Sequence, residues 1–150
     1  MNELNELYQQ VILDHNKNPR NFGVINPYNH TAEGHNPLCG DHIDIYVLIE
    51  NNIIKDISFQ GHGCAISKAS ASIMTTLLKG KKVEEAEEMF GKFHNIVTSE
   101  PHTELDFEIL GKIAVFGGVR EFPARVKCAS LAWHTLKNAI NNEESIVTTE

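Results

Sequence analysis

Long apolar runs and an excess of basic residues are both missing from this chain of 150 residues. No apolar run approaches the roughly 18 residues that a membrane-spanning helix needs, so we expect no membrane segment. Lys and Arg number 13 against 20 Asp and Glu, and the net charge of −7 argues against a nucleic acid or an anionic membrane as partner. The acidic N-terminus has no basic region before an apolar run, so we expect no signal peptide and predict a cytoplasmic protein.

Cysteine is also scarce, with three residues in the whole chain. An odd number cannot all pair, and a reducing cytosol disfavours disulfides, so a disulfide-rich scaffold is excluded. The three thiols are then either separate small buried side chains or one site built from Cys39, Cys64 and Cys128. The sequences around them favour the single site.

The chain does contain enough apolar sequence for one core, because 41% of its residues are hydrophobic and 22% are charged. We therefore predict a single domain over residues 1–150, with 141–150 as a frayed tail. We expect about three antiparallel strands and several helices. Helical spacing predicts helices over 2–15, 65–79, 83–97, 105–114 and from Pro123 onward. Alternating apolar residues predict strands over 42–50 and 53–60, with a short edge strand over 28–34.

A hairpin between the two clear strands brings two cysteines close together. If Asn51-Asn52 forms the turn, the antiparallel register sets Asp41 opposite His62 and Cys39 opposite Cys64. The two thiols would then meet at the open end of the hairpin. On this register His62 is the rival to Asp41 as a fourth ligand beside the thiols.

The third cysteine, Cys128, follows the start of the last helix, with Arg125 one turn earlier and Lys127 adjacent. Cations and a helix start both lower a thiol pKa, so we expect a low pKa for Cys128. Three thiolates with Asp41 suit tetrahedral zinc. Thiolates also suit iron–sulfur clusters, so ligand identity alone leaves the metal open.

Three blocks of sequence carry a family resemblance. They are Asn36-Pro37-Leu38-Cys39-Gly40-Asp41, Gly61-His62-Gly63-Cys64-Ala65-Ile66-Ser67 and Arg125-Val126-Lys127-Cys128-Ala129-Ser130-Leu131-Ala132-Trp133. Together they resemble the U-type proteins of iron–sulfur cluster assembly, the IscU and NifU N-terminal-like superfamily, over about residues 7–140. The resemblance implies an α+β fold with zinc on Cys39, Asp41, Cys64 and Cys128.

Two features resemble the SufU-like branch of that family rather than its IscU-like scaffolds. The scaffolds carry a His just before the third cysteine, where this chain has Lys127. Between Cys64 and Cys128 lie 63 residues, and the segment 101–122 is the candidate for an insertion that marks the SufU-like branch.

This resemblance implies a zinc-dependent sulfur-transfer protein. It would accept persulfide sulfur from a PLP-dependent cysteine desulfurase of the SufS type and pass it toward a downstream iron–sulfur scaffold. We expect Cys39 to be the acceptor, because a loop residue can move at the smallest conformational cost. Arg125 and Lys127 would stabilise the anionic persulfide, although Arg125 could instead pair with Asp41. The alternatives are a scaffold on which an iron–sulfur cluster is assembled, and an adaptor with a purely structural zinc site.

Overall fold

The computed structural model describes residues 3–37, 39–100, 103–105, 110–120, 122–142 and 147–148. In this part of the chain, four α-helices and one 3₁₀ helix surround a four-stranded sheet, which confirms the predicted α+β class. The elements in chain order are α1 Glu3–Lys17, β1 His30–Asn36, β2 Asp41–Glu50, β3 Ile53–His62, α2 Ala65–Leu78, α3 Val83–Thr98, the 3₁₀ helix Gly111–Val119, α4 Pro123–Ile140 and β4 Val147–Thr148.

The sheet has the order β3-β2-β1-β4. Its first three strands pair in antiparallel fashion, as predicted. Strand β4 pairs in parallel with Gly34 and His35 of β1, so β1 is not an edge strand at this end. The expectation of a frayed tail is wrong for the two residues of β4, because so short a strand has no alternating pattern that a sequence could reveal.

Asn51 and Asn52 form the predicted turn between β2 and β3, with φ angles of 54° and 63°. Two consecutive left-handed residues are typical of the tight hairpin turns that favour Asn. The turn therefore follows from the local sequence alone.

A β-bulge between Leu48 and Ile49 then shifts the ladder by one residue, so that His42 pairs with His62. The predicted register, with Asp41 opposite His62 and Cys39 opposite Cys64, is therefore wrong. A shift of one residue also changes the face on which each later side chain of β3 lies.

The strands of the sheet have one buried and one partly exposed face. Asp41 lies on the same face as Ile43, Ile45 and Val47, and all four are at most 3% exposed. Their neighbours His42, Asp44 and Tyr46 lie on the opposite, partly exposed face. The carboxylate of Asp41 is therefore on the side of the sheet that the helices cover.

Helices α2 and α4 pack on the buried face of the sheet. The first half of α2 consists largely of Ser and Ala residues, most of them buried, which allows its backbone to lie close to its neighbours. Trp133 of α4 is fully buried, and its ring stacks on that of Phe93 with centroids 4.8 Å apart. Burial of side chains of this size typically contributes about 1.5–3 kcal/mol each.

The segment between α3 and α4 differs from the predicted helix over residues 105–114. Its regular part is a 3₁₀ helix over Gly111–Val119, while residues 106–109 lie outside the described ones. The 3₁₀ helix packs against α1, α3 and α4, and its buried members include Val115 and Phe116. The candidate insertion thus supplies part of the core.

Candidate metal centre

Four different elements bring the predicted ligands to one end of the sheet. Cys39 lies in the turn between β1 and β2, and Asp41 is the first residue of β2. Cys64 caps the N-terminus of α2, where its Sγ accepts a hydrogen bond from the backbone N–H of Ser67 at 3.4 Å. Cys128 lies in the second turn of α4, the helix that Pro123 begins.

Three of the four predicted ligand atoms, those of Cys39, Asp41 and Cys128, are close enough to share one ion. The Sγ atoms of Cys39 and Cys128 are 3.4 Å apart, and together with a carboxylate oxygen of Asp41 they lie within 4.8 Å of one another. The Sγ atom of Cys64 is 3.9 Å from Asp41 Oδ2. Tetrahedral zinc requires about 3.8 Å between two sulfur ligands and about 3.6 Å between sulfur and oxygen. The donor set and the spacing of Cys39, Asp41 and Cys128 therefore fit zinc, and Cys64 is near the carboxylate but outside this close group.

Solvent exposure differs strongly among the four groups. Cys128 and Asp41 are 3% and 1% exposed, Cys64 is intermediate and Cys39 is exposed. Two of the ligands are thus fixed inside the protein, and one thiol can be reached from outside. The accessible thiol is Cys39.

Asp41 is held by two donors despite its burial. Its Oδ1 accepts the backbone N–H of Cys64 at 2.8 Å, and its Oδ2 accepts the side-chain amide of Asn36 at 3.3 Å. Gly63 makes this approach possible, because a Cβ at that position would collide with the carboxylate. A buried carboxylate needs such partners to stay in place.

The expectation of a low pKa for Cys128 is wrong for the metal-free protein. Burial raises the pKa of this thiol, and the neighbouring thiols of Cys39 and Cys64 and the charge of Asp41 raise it further. The cations that the sequence places nearby do not offset these effects. A divalent cation among the same groups would favour their deprotonated forms.

Arg125 and Lys127 precede Cys128 on α4, and neither forms a hydrogen bond with the thiols or Asp41 among the described residues. Arg125 is exposed, and its guanidinium carbon is 4.5 Å from the centre of the Phe122 ring. Lys127 is partly buried. In the described part of the chain neither cation forms an ion pair with Asp41. The alternative in which Arg125 pairs with Asp41 is therefore not supported.

His62 is not a neighbour of the thiols. Because the bulge pairs it with His42, it lies on the opposite face of the sheet from Asp41, where the two imidazole rings stack 5.8 Å apart. Its placement argues against His62 as the fourth ligand.

Asn36 is a residue of the site to which the sequence analysis gives no role. It is fully buried, and its side-chain amide donates to Asp41 Oδ2 and to Cys128 Sγ, at 3.3 Å and 3.5 Å. Asn36 and Asp41 also pair directly across strands β1 and β2. The sequence places Asn36 five residues before Asp41, with Pro-Leu-Cys-Gly between them. This spacing could have suggested that the two residues pair, but the ends of strands cannot be located to one residue from sequence alone.

Comparison with known proteins identifies the family of this chain. The family model described as the NifU-like N-terminal domain matches residues 7–129, which include all four predicted ligands. The chain belongs to this family. The predicted membership in the IscU and NifU superfamily is thereby confirmed.

Relatives in the family carry two kinds of name. The zinc-dependent sulfurtransferase SufU of Bacillus subtilis (strain 168) is 44% identical over 142 residues, which cover 94% of this chain and 94% of the relative. The iron–sulfur cluster assembly scaffold protein IscU of Streptococcus pyogenes serotype M1 is 39% identical over 140 residues, covering 93% of this chain and 86% of the relative. One of these relatives is thus named for sulfur transfer and the other for cluster assembly.

A solved structure supports the same relationship. The crystal structure of FiSufU from Fervidobacterium islandicum AW-1, described as a cluster assembly scaffold protein for the SUF system, matches with a TM-score of 0.80 at 38% identity. The match covers 90% of this chain and 97% of that one. The family fold therefore extends over nearly the whole molecule. Among the described residues, no helix is long and apolar enough to cross a membrane.

Proposed function

We propose that this protein is a zinc-dependent sulfur-transfer partner of a PLP-dependent cysteine desulfurase, with Cys39, Asp41, Cys64 and Cys128 as the zinc ligands. The observation that carries the proposal is the contrast between the exposed thiol of Cys39 and the buried side chains of Cys128 and Asp41. A group that receives sulfur from another protein must be accessible, whereas groups that retain a metal are best held rigidly. The 44% identity to a zinc-dependent sulfurtransferase supports the same conclusion.

Cys39 is the proposed sulfur acceptor. It lies in a turn beside Gly40, whose φ of +72° is one that glycine adopts easily. Cys64 and Cys128 are both built into helices, where a displacement would disturb packed structure. Cys39 can therefore move toward a partner while the other groups keep their places.

The transfer step is a thiol exchange without net oxidation. The thiolate of Cys39 attacks the outer sulfur of the persulfide on the desulfurase and forms a new S–S bond. The old S–S bond breaks, and its electron pair stays on the desulfurase cysteine, which leaves as a thiolate. The product is a persulfide on Cys39.

The surroundings of Cys39 suit such a product. When bound, zinc would keep the cysteines as thiolates at neutral pH and shield them from oxidation. Lys127 and the exposed Arg125 are cations on the first turns of α4, within three residues of Cys128 in the sequence. We propose that they favour the anionic persulfide electrostatically once Cys39 turns outward. A SufS-type desulfurase, a downstream iron–sulfur scaffold and a cytoplasmic location complete the proposal.

A desulfurase assay tests this function. Zinc-loaded protein mixed with a cognate cysteine desulfurase and cysteine should raise alanine production well above the rate of the desulfurase alone. Cys39→Ser should abolish the increase, whereas Arg125→Ala should lower it and leave zinc bound. Equal alanine production with and without the protein, for a partner shown to bind it, would contradict the proposal.

Cluster assembly on the same ligands is the second candidate, and the 39% identity to a protein named as a scaffold favours it. It predicts a coloured protein whose iron and sulfide pass to an apo-protein. The structural adaptor is the third alternative, and it predicts that cysteine variants lose function only through unfolding. Anaerobic reconstitution followed by a transfer assay separates both from the sulfur-transfer proposal.

A further inference from the structure

We propose a second metal site on the partly exposed face of the sheet, formed by Glu33, His35 and His42 and selective for zinc or a similar borderline divalent cation. These three residues form one of two clusters in the described part of the chain whose ligand atoms lie within 4.8 Å of one another. The other cluster belongs to the thiol centre. The second site is independent of the proposed sulfur transfer.

The three side chains converge on one point. Glu33 Oε2 lies 3.1 Å from His35 Nε2 and 3.5 Å from His42 Nε2. Asp44 Oδ1 lies 3.2 Å from the same nitrogen of His42 and can supply a fourth ligand. Glu33, His35 and His42 therefore place three ligand atoms within reach of one ion, and Asp44, which is near His42, would have to move closer to become the fourth.

These separations match a tetrahedral zinc site. Zinc binds imidazole nitrogen at about 2.0–2.1 Å and carboxylate oxygen at about 2.0–2.2 Å, so neighbouring ligands in a tetrahedron are about 3.4 Å apart. The observed distances of 3.1, 3.5 and 3.2 Å lie on either side of this value.

The backbone fixes this arrangement. His35 pairs directly with His42 across β1 and β2, and Glu33 pairs with Asp44 two positions along the same ladder. Side chains two residues apart on a strand share a face, so all four project on the same side. A site on paired strands holds its ligands more firmly than one on loops.

The chemistry of the ligands indicates the class of metal. Imidazole suits zinc, copper and nickel, whereas calcium and magnesium prefer oxygen ligands alone. The side chains of Glu33, His35 and His42 are 42%, 43% and 23% exposed, so an ion can enter from solvent. His42 directly follows Asp41 on β2, and alternation along the strand places the two sites on opposite faces of the sheet.

The test is a zinc titration of protein whose thiol centre already holds zinc. Wild type should bind two zinc ions per chain, the second more weakly. Glu33→Gln, His35→Ala and His42→Ala should each weaken the second binding event at least tenfold and leave the first unchanged. His94→Ala is the matched control, because it removes an exposed histidine from α3 and should leave both events as in wild type.

Cobalt provides a check that does not depend on the alanine variants. Added to the zinc-loaded protein, Co²⁺ at the second site should give visible ligand-field bands without thiolate charge-transfer bands. His35→Gln, which keeps a polar side chain of similar reach, should lose these bands while its melting temperature stays near that of wild type. One zinc per chain in wild type, thiolate bands from the added cobalt, or a second ion that persists in the His35→Ala, His42→Ala double variant would overturn the proposal.

Discussion

Replacing Asn36 by Ala should lower the zinc affinity of the protein more than it lowers the free energy of unfolding. This side chain is fully buried, and its amide contacts a carboxylate oxygen of Asp41 and the sulfur of Cys128. Among the described residues, its own Oδ1 has no hydrogen-bond partner. Asn36→Ala thus removes two contacts to proposed zinc ligands together with one unsatisfied buried acceptor.

The structure allows both magnitudes to be estimated. A hydrogen bond to a charged group contributes about 1.5–3 kcal/mol, and loss of a group that orients a metal ligand typically weakens binding by about 10–100-fold. We therefore expect zinc affinity to fall by about that factor. The unfolding free energy of the metal-free protein should fall less, by about 1 kcal/mol, because removal of the unpaired Oδ1 offsets part of the lost contacts.

Zinc competition with a chromophoric chelator measures the affinity, and urea unfolding of metal-free protein measures the stability. Asn95→Ala is the control, since Asn95 is exposed and lies on α3, which carries none of the predicted ligands. Zinc affinity within twofold of wild type in Asn36→Ala would refute the reasoning, as would equal losses in both assays.

Four further predictions follow from the same structure. Gly63→Ala should weaken zinc binding more than Gly91→Ala does, because a Cβ at residue 63 collides with the carboxylate of Asp41; equal affinities in a chelator competition would contradict this. Cys128→Ser should lower the melting temperature of the metal-free protein and Cys39→Ser should not, because only the first places a hydroxyl in a buried position. Chelation of zinc should lower the melting temperature of wild type, since metal binding contributes to folding free energy; unchanged melting in excess chelator would argue against a bound structural ion. Burial lowers the pKa of His15 to about 4. The contribution of His15 to the unfolding free energy should therefore be complete above about pH 6.5 and decrease toward pH 4, by at most about 1.4 kcal/mol per pH unit. His15→Gln should reduce this pH dependence when urea unfolding is measured at pH 7 and 5.

Local sequence patterns predicted most of the fold, because its elements are strongly periodic. The alternation in β2, the turn at Asn51-Asn52 and the proline at the start of α4 each have a local physical cause. The 3₁₀ helix and β4 lack such a cause. The 3₁₀ helix contains three glycines and has almost no amphipathic pattern, and β4 depends on a partner strand far away in the sequence.

In the candidate site, the predicted residues come together although the predicted register is wrong. One extra residue at the bulge cancels the predicted pairing of Cys39 with Cys64, yet the thiols still converge because helices α2 and α4 begin at the same end of the sheet. The same bulge moves His62 to the opposite face. A β-bulge has no dependable signature in a single sequence, since it satisfies packing rather than local preference.

The expectation of a low pKa for Cys128 is wrong for a related reason. Neighbouring cations in the sequence, Arg125 and Lys127, suggested a polar setting, but the fold buries the thiol among two other thiols and a carboxylate. Burial is a property of the tertiary structure, and here its effect on the thiol outweighs that of the nearby cations. Asn36 was overlooked for the same reason, since only the assembled structure shows that it contacts Asp41.

The most direct test of the central claim locates the sulfur after a single turnover. Zinc-loaded protein is mixed with a cognate desulfurase and one equivalent of cysteine, then alkylated and analysed by peptide mass mapping. We expect the first persulfide on Cys39, and none on Cys64 or Cys128. A persulfide that forms first on either of the helix-bound cysteines would contradict the assignment of the exposed thiol as the acceptor.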